Sequence, residues 1–253
     1  VLQFDETMQA SAVVVSSIRL YNTFEDSTEF VVLNSSVVSS PSGTSVTIAL
    51  STADLNNIKL PLPSGSLLCR TSQSCFVRFS SNAFEDMVGN QAAAVVVGQA
   101  NINERAESYT TDSTGPRISS FAVNFNLNTM TLHFSEVVAV STLNPRALTL
   151  QANEHETGGV SYTLTGGVRV TETDGDVVVF NISSTDVGLI KATVGLAFAT
   201  SNTYLINTNA VIRDQFNNAA RSRVNGVDAL QASSITLDVV APRITSFTFN
   251  MRD

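Results

Sequence analysis

Apolar positions along the chain come as short runs of Val, Ile, Leu and Phe, four to eight residues long, set off by Ser, Thr, Asn and Gly. Runs of that length, with alternation such as Phe247, Phe249 and Met251 in "SFTFNM", predict half-buried strands and turns. A helical signal is confined to "STADLNNIKL" from Ser51 and "SSTDVGLIKA" from Ser183. Each carries Ser/Thr-x-x-Asp just before a short apolar pattern, predicting a single capped helical turn between strands. The fold class that follows is all-β.

Comparison of the chain with itself gives its organisation. "PRISSFAVNFN" from Pro116 matches "PRITSFTFNMR" from Pro242 at an offset of 126, and "VLQFDETMQASAVVVSSIRL" from Val1 matches "TLHFSEVVAVSTLNPRALTL" from Thr131 at 130. The two helical segments match at 132, and "NAFEDMVGN" from Asn82 matches "AVIRDQFNN" from Ala210 at 128. Four segments in the same order make a repeat of roughly 128 residues.

Within a repeat, a Pro-led strand (118–125) turns into a second (131–134), followed by a loop, a third strand and a hairpin at Asp174-Gly175, with Ser42-Gly43 at the same point of the first repeat. Glycine there is expected to supply the positive φ of a tight turn. The Ala-Val-Val-Val runs "SAVVVSS" from Ser11 and "AAAVVVG" from Ala92 read as core or edge strands. About seven short strands with regular turns predict a two-sheet antiparallel sandwich of immunoglobulin-like type. The chain then divides into 1–111, a first sandwich without its first strand, 112–237, a complete second sandwich, and 238–253, a linker and spare first strand.

The succession Pro-x-Ile, "LHFSE" or "LQFDE", "NPRALTL", "DMVGN" and the linker Asp-x-x-x-Pro resembles the tandem bacterial-type Ig-like repeats of large extracellular and cell-surface proteins, among them swimming-associated repeat proteins, adhesins and surface fibres. The resemblance covers nearly the whole chain and implies architecture and an extracellular setting. One departure is Asp214-Gln215-Phe216-Asn217-Asn218, where Asn217 stands in place of the usual Gly. Asn tolerates the left-handed conformation, so the turn is expected to survive.

Charge excludes some partners. Against 22 acids stand 14 bases, and only Lys59 and Lys191 are lysines, so there is no basic stripe for nucleic acid. No apolar run approaches the ~18 residues of a membrane span. Val1 follows neither an initiator Met nor a signal peptide, so the chain reads as a mature or excised piece. Cys69 and Cys75 in "LLCRTSQSCFV" flank a polar turn-forming stretch, predicting a hairpin tip closed by a disulfide and an oxidising compartment.

Catalytic chemistry is not indicated. His133 in an alternating strand and His155 in an acidic loop have no nucleophile in a recognisable setting, and read as surface or strand-edge histidines. No phosphate loop, zinc-protease motif or nucleophile elbow occurs. The chain is therefore expected to be no enzyme and to need no cofactor. Calcium is the one candidate ion: Glu6, Glu136, Asp86, Asp214, Asp112 and Asp238 recur between the repeats, and carboxylates meeting at one pole of a sandwich would form a Ca²⁺ joint. The plainer account is local, with Asp side chains capping turn amides. Asn34 and Asn181 head glycosylation sequons.

In register, Val1 corresponds to Thr131, so the first repeat lacks the strand that precedes it. The segment with Arg243, Ile244, Phe247, Phe249 and Met251 is such a strand. The expected function is a structural subunit of an extracellular filament or cell-surface appendage, in which this strand completes the first sandwich of an identical copy, head to tail. The alternative is an adhesin or Ig-like module binding carbohydrate, glycans or cell-surface proteins, although the chain has no Trp and only four Tyr to serve as platforms.

Overall fold

A computed structural model describes residues 1–25, 28–96 and 105–251. The N-terminal half holds β1 (Leu2–Met8), β2 (Ile18–Tyr21), β3 (Val31–Val32), β4 (Val37–Val38), β5 (Gly43–Val46), β6 (Ile48–Ala49), α1 (Thr52–Lys59) and β7 (Phe76–Phe79). The C-terminal half holds β8 (Ile118–Asn124), β9 (Thr129–Ala139), β10 (Leu148–Gln151), β11 (Ser161–Thr163), β12 (Gly167–Arg169), β13 (Gly175–Ile182), α2 (Ser184–Ala192), β14 (Tyr204–Asn207), β15 (Arg213–Asp214), β16 (Leu230–Gln231) and β17 (Ser234–Thr236). The chain is mostly β, as its pattern predicts.

In the C-terminal half one sheet runs β12-β13-β9-β8-β17, with β15 also on β9, and the other runs β11-β10-β14-β16. Alternation decides the faces. On β9 Met130, Leu132 and Phe134 are buried while the alternate residues His133 and Ser135 are exposed. Phe121, Leu132 and Phe180 of the first sheet share one buried cluster with Leu148, Leu150 and Leu205 of the second. Ladders are antiparallel among the described residues except β17 on β8, which is parallel and departs from the expected antiparallel pattern.

Short strands in the N-terminal half repeat this plan: β1 pairs β5, β2 pairs β3 and β7, and β4 pairs β6. Its core gathers Met8, Ile18, Val46, Phe79 and Phe84. Phe84 packs its ring 4.9 Å from Phe4 and 4.8 Å from Phe79. One element has no counterpart. β9 has β13 on one edge and β8 on the other, whereas among the described residues β1 has β5 on one edge and no strand beside Leu2–Phe4 on the other.

Several turn expectations change. Gly175 and Gly43 are not in the positive-φ region; each begins a strand, opposite Val138 and Met8. Beyond them the register slips: β13 advances from Gly175 to Val177 while β9 runs from Val138 back to His133, and β5 and β1 repeat the slip between Gly43/Met8 and Ser45/Gln3. The hairpin expected at Asp174-Gly175 is present as β12–β13, with residues 170–174 as its connection and Gly175 as the first residue of the strand, and the partner strand β9 carries a bulge beside it. "SAVVVSS" forms no strand either. Two of its amides close 3-10 turns, Ala12 to Gln9 and Ser17 to Val14, while the Val14 amide reaches the Ala83 carbonyl and Val13 and Val15 pack on the core, as the core reading expects. Val95 of "AAAVVVG" does pair with Phe79, while Val97 and Gly98 lie outside the described residues.

Helices of eight and nine residues replace the single turns expected. Their caps match the pattern: the Ser51 and Ser183 hydroxyls accept from the Asp54 and Asp186 amides. Asn217 takes φ +66°, as Gly89 takes +92°, so the Asp-led turn is built twice with different residues. Residues 237–251 join no strand, and Ile244, Phe247, Phe249 and Met251 are exposed.

Candidate functional site

The bulge in β9 has a purpose that its sequence position hides. Its extra residues carry Glu136 away from the ladder toward the place where the two halves meet, and there Lys59, the last residue of α1, reaches it. Lys59 Nζ lies 2.5 Å from Glu136 Oε2 and 2.6 Å from Asp112 Oδ2 in the connecting segment. A cation at a helix C-terminus also faces the negative end of the helix dipole. Burial pulls the Lys59 pKa down, yet the two carboxylates outweigh it, and the group stands above its ordinary value. Burial likewise works to raise Asp112, but Lys59 and the Thr114 amide hold it below the usual range. Glu136 goes the other way: burial dominates and keeps it above the ordinary value.

The connecting segment is itself held in place. Asp112 Oδ1 accepts from the Thr114 amide at 2.9 Å, and the Asp112 carbonyl accepts from Asn218 Nδ2 at 3.1 Å. At Gly115 a Cβ would lie 1.8 Å from the Ala219 carbonyl oxygen, so only glycine lets the chain pass so close to the Asp214 turn. Asp214 takes the Phe216 and Asn218 amides at 2.8 and 2.7 Å and Asn218 Nδ2 at 2.8 Å. Asp86 does the same with Val88, Asn90 and Asn90 Nδ2. These are the turn-capping roles expected on the local account.

Of the six candidate calcium ligands, Asp112, Glu136 and Asp214 meet, with one oxygen of each within 4.8 Å of the others. Glu6 is exposed, Asp86 serves its own turn, and Asp238 pairs with Lys191 at 2.7 Å. The cluster is arranged for an ammonium: Lys59 takes two of the carboxylates and turn amides take the third. That lysine was missed by sequence reasoning, which followed the recurring acids. The signal was present, since the only two lysines of the chain occupy the same place in the two matched helical segments.

A second contact lies beside it. Cys69 and Cys75 are disulfide-bonded, as expected, although the turn they close precedes β7 and is not the tip of a strand hairpin. Arg70 in that turn stacks its guanidinium 4.0 Å from the centre of the Phe216 ring and donates to the Gln215 carbonyl. Asn56 of α1 donates to Asp176 at 3.4 Å. Three residues of the N-terminal half, Asn56, Lys59 and Arg70, therefore reach into the C-terminal half from α1 and the disulfide turn.

The remaining candidates stand apart. His133, His155, Asn34 and Asn181 are all exposed. Asp174 of the acidic "TETDGD" stretch accepts from the Val140 amide and from Gln215 Nε2 at 2.8 Å each. No helix among the described residues is long and apolar enough to cross a membrane. No family model, no curated protein and no solved structure matches the chain.

Proposed function

We propose that the chain is a pair of tandem immunoglobulin-like sandwiches serving as a non-enzymatic structural subunit of an extracellular filament or surface appendage, in which residues 243–251 of one copy complete the first sandwich of the next. The observation that carries it is a strand and an edge that correspond. Ile118, Phe121, Val123 and Phe125 are buried on β9's edge at 0, 0, 1 and 4% exposure, while their matches Ile244, Phe247, Phe249 and Met251 stand at 87, 86, 76 and 84%.

Register supports the fit. Ile118 pairs with Phe134 and Phe121 with Leu132, so the offsets place Ile244 opposite Phe4 and Phe247 opposite Leu2 on the open edge of β1. Burying such side chains contributes about 1.5–3 kcal/mol each before the cost of association is subtracted. Head-to-tail strand donation is heterologous and propagates unless it closes into a ring. The disulfide accords with an oxidising, extracellular setting.

A carbohydrate-binding role finds less support, because the tyrosines are engaged. Tyr162 donates its hydroxyl to Asp186 at 2.7 Å, Tyr21 is buried under Arg78, and Tyr109 and Tyr204 are half-buried. The test is the self-association of the chain against a variant ending at Val240, followed by sedimentation. The full chain is expected to associate and the shortened one to remain monomeric; equal association by both refutes strand donation.

A further inference from the structure

The joint inside the chain is half-repeated at the far end of the C-terminal half. Lys191 closes α2 as Lys59 closes α1, and Asp238 follows the C-terminal half as Asp112 follows the N-terminal one. The pair Lys191–Asp238 is formed at 2.7 Å, with side chains 36 and 34% exposed, where Lys59 and Asp112 are 15 and 17% exposed. What is missing is the third member, the counterpart of Glu136. At the matching offset that residue is Glu6, which lies in the equivalent bulge of β1 and is exposed.

The second contact is half-repeated too. The turn that carries Arg70 has its counterpart at Ala197–Thr203: Ala197 takes φ +60° where Cys69 takes +48°, which places Phe198 at the position of Arg70. Phe198 is half exposed. On the receiving side Met87 and Val88 stand where Gln215 and Phe216 stand, and both are exposed, Val88 at 83%. Asn90 is exposed where Asn218 donates to the Asp112 carbonyl, and its counterpart acceptor is the carbonyl of Asp238.

We infer that a second copy of the chain docks its N-terminal half on the α2 end of the first, with its Glu6 joining Lys191 and Asp238 and its Met87 and Val88 packing on Phe198. It is argued on the strand-donation reading, in which the connecting segment leads from Asp238 into the β1 edge of that copy, but the contacts themselves use no residue beyond Val240. It adds a specific interface: one ion triad, one amide-to-carbonyl hydrogen bond, and an apolar contact replacing the arginine-on-ring contact within the chain. Complementarity is of charge and polarity, since the donor face presents a lysine and a phenylalanine and the receiving face a carboxylate and two apolar side chains.

Carbodiimide cross-linking of the associated chain tests it, since it joins an amine and a carboxylate only when they touch. The expected product between copies is Lys191 joined to Glu6, identified by mass spectrometry in a mixture of isotope-labelled and unlabelled chains. Lys191→Glu is expected to weaken association about tenfold or more, as is Glu6→Lys, through like charges brought together, and an equal mixture of the two variants is expected to recover much of it. Both side chains are partly or fully exposed, so each variant's unaltered melting curve controls for folding. Association without the Lys191–Glu6 product, insensitive to both variants but abolished by ending the chain at Val240, overturns the docking and leaves strand donation standing. The same product from the chain ending at Val240 supports the docking and overturns strand donation. A full-length chain that stays monomeric at every concentration overturns both.

Discussion

Asp54 and Asp186 each tie a helix to the strand layer beside it. Asp54 accepts from the amides of Asn34, Ser35 and Ser36 at 3.1, 3.0 and 2.8 Å and from the Ser36 hydroxyl at 2.5 Å. Asp186 takes the Tyr162 hydroxyl and both the amide and hydroxyl of Thr165. Burial works to raise both pKa values, but the hydroxyl and amide donors more than reverse it, and both groups lie below their ordinary 3.8. A depressed folded-state value means stability that is whole above the unfolded pKa and lost as pH falls through the folded one. Glu136, which burial raises from 4.5, acts in the opposite sense. Asp54→Ala is expected to cost about 3 kcal/mol, because it strands several buried donors at once. Urea unfolding at neutral pH measures this, and the variant should also lose part of the wild type's decline below about pH 4. A loss under about 0.5 kcal/mol would refute the role, that being the usual range of surface substitutions. In the sequence these residues are legible only as cap positions: Ser-x-x-Asp predicts the cap, but nothing in it says that the carboxylate faces a segment some twenty residues earlier.

The turn before β7 and the turn before β14 show one backbone shape supported by two chemistries. In the first, Cys69 and Cys75 are bonded; in the second, Ala197 and Thr203 occupy those places, and Asn202 Oδ1 accepts from the Phe198 and Ala199 amides at 3.1 and 2.8 Å. Thr203 adds its hydroxyl to the Ala199 carbonyl at 2.7 Å. Ser74 Oγ accepts from the Arg70 and Thr71 amides at 3.1 and 3.0 Å in the same way, so the disulfide is added to a turn that a side-chain cap also holds. Replacing both cysteines by serine is expected to cost about 2 kcal/mol, the loop entropy of so short a closure. Far-UV circular dichroism should stay unchanged, while the melting midpoint falls; loss of the native spectrum would show that the turn needs the covalent bond. At this scale the sequence was informative where a residue type has one mechanism, as with the cysteine pair and Asn217. It misled at Gly175 and Gly43 only in conformation: each begins a strand without the positive φ expected of a turn residue, because a glycine beside a turn serves extended backbone as readily and only the ladder distinguishes the two.

For the whole molecule, what matters is how firmly one half is set against the other. The self-match predicted two similar units and the place where one ends, since strand patterns and turn residues are local signals. It did not predict the joint, because Lys59 and Glu136 are brought together by a helix end, a linker and a bulge that no window of sequence contains. Lys59→Glu tests the joint directly. It places a third carboxylate against Asp112 and Glu136 and removes the charge that satisfies them, at a site where both partners are largely buried. Breaking a buried pair in this way costs about 3–5 kcal/mol when no rearrangement relieves it. Relief is available here, since the halves can separate and return all three acids to water. Each half keeps its own core, so the expected result is loss of orientation and not of fold: unchanged circular dichroism, faster proteolysis within residues 105–115, and a larger, broader set of dimensions by small-angle X-ray scattering. Lys59→Arg, which keeps the charge, should scatter like the wild type. Superimposable profiles for Lys59→Glu and the wild type would mean that the halves are held by Arg70 and the linker without the ion triad, and the triad inferred between copies would lose its precedent.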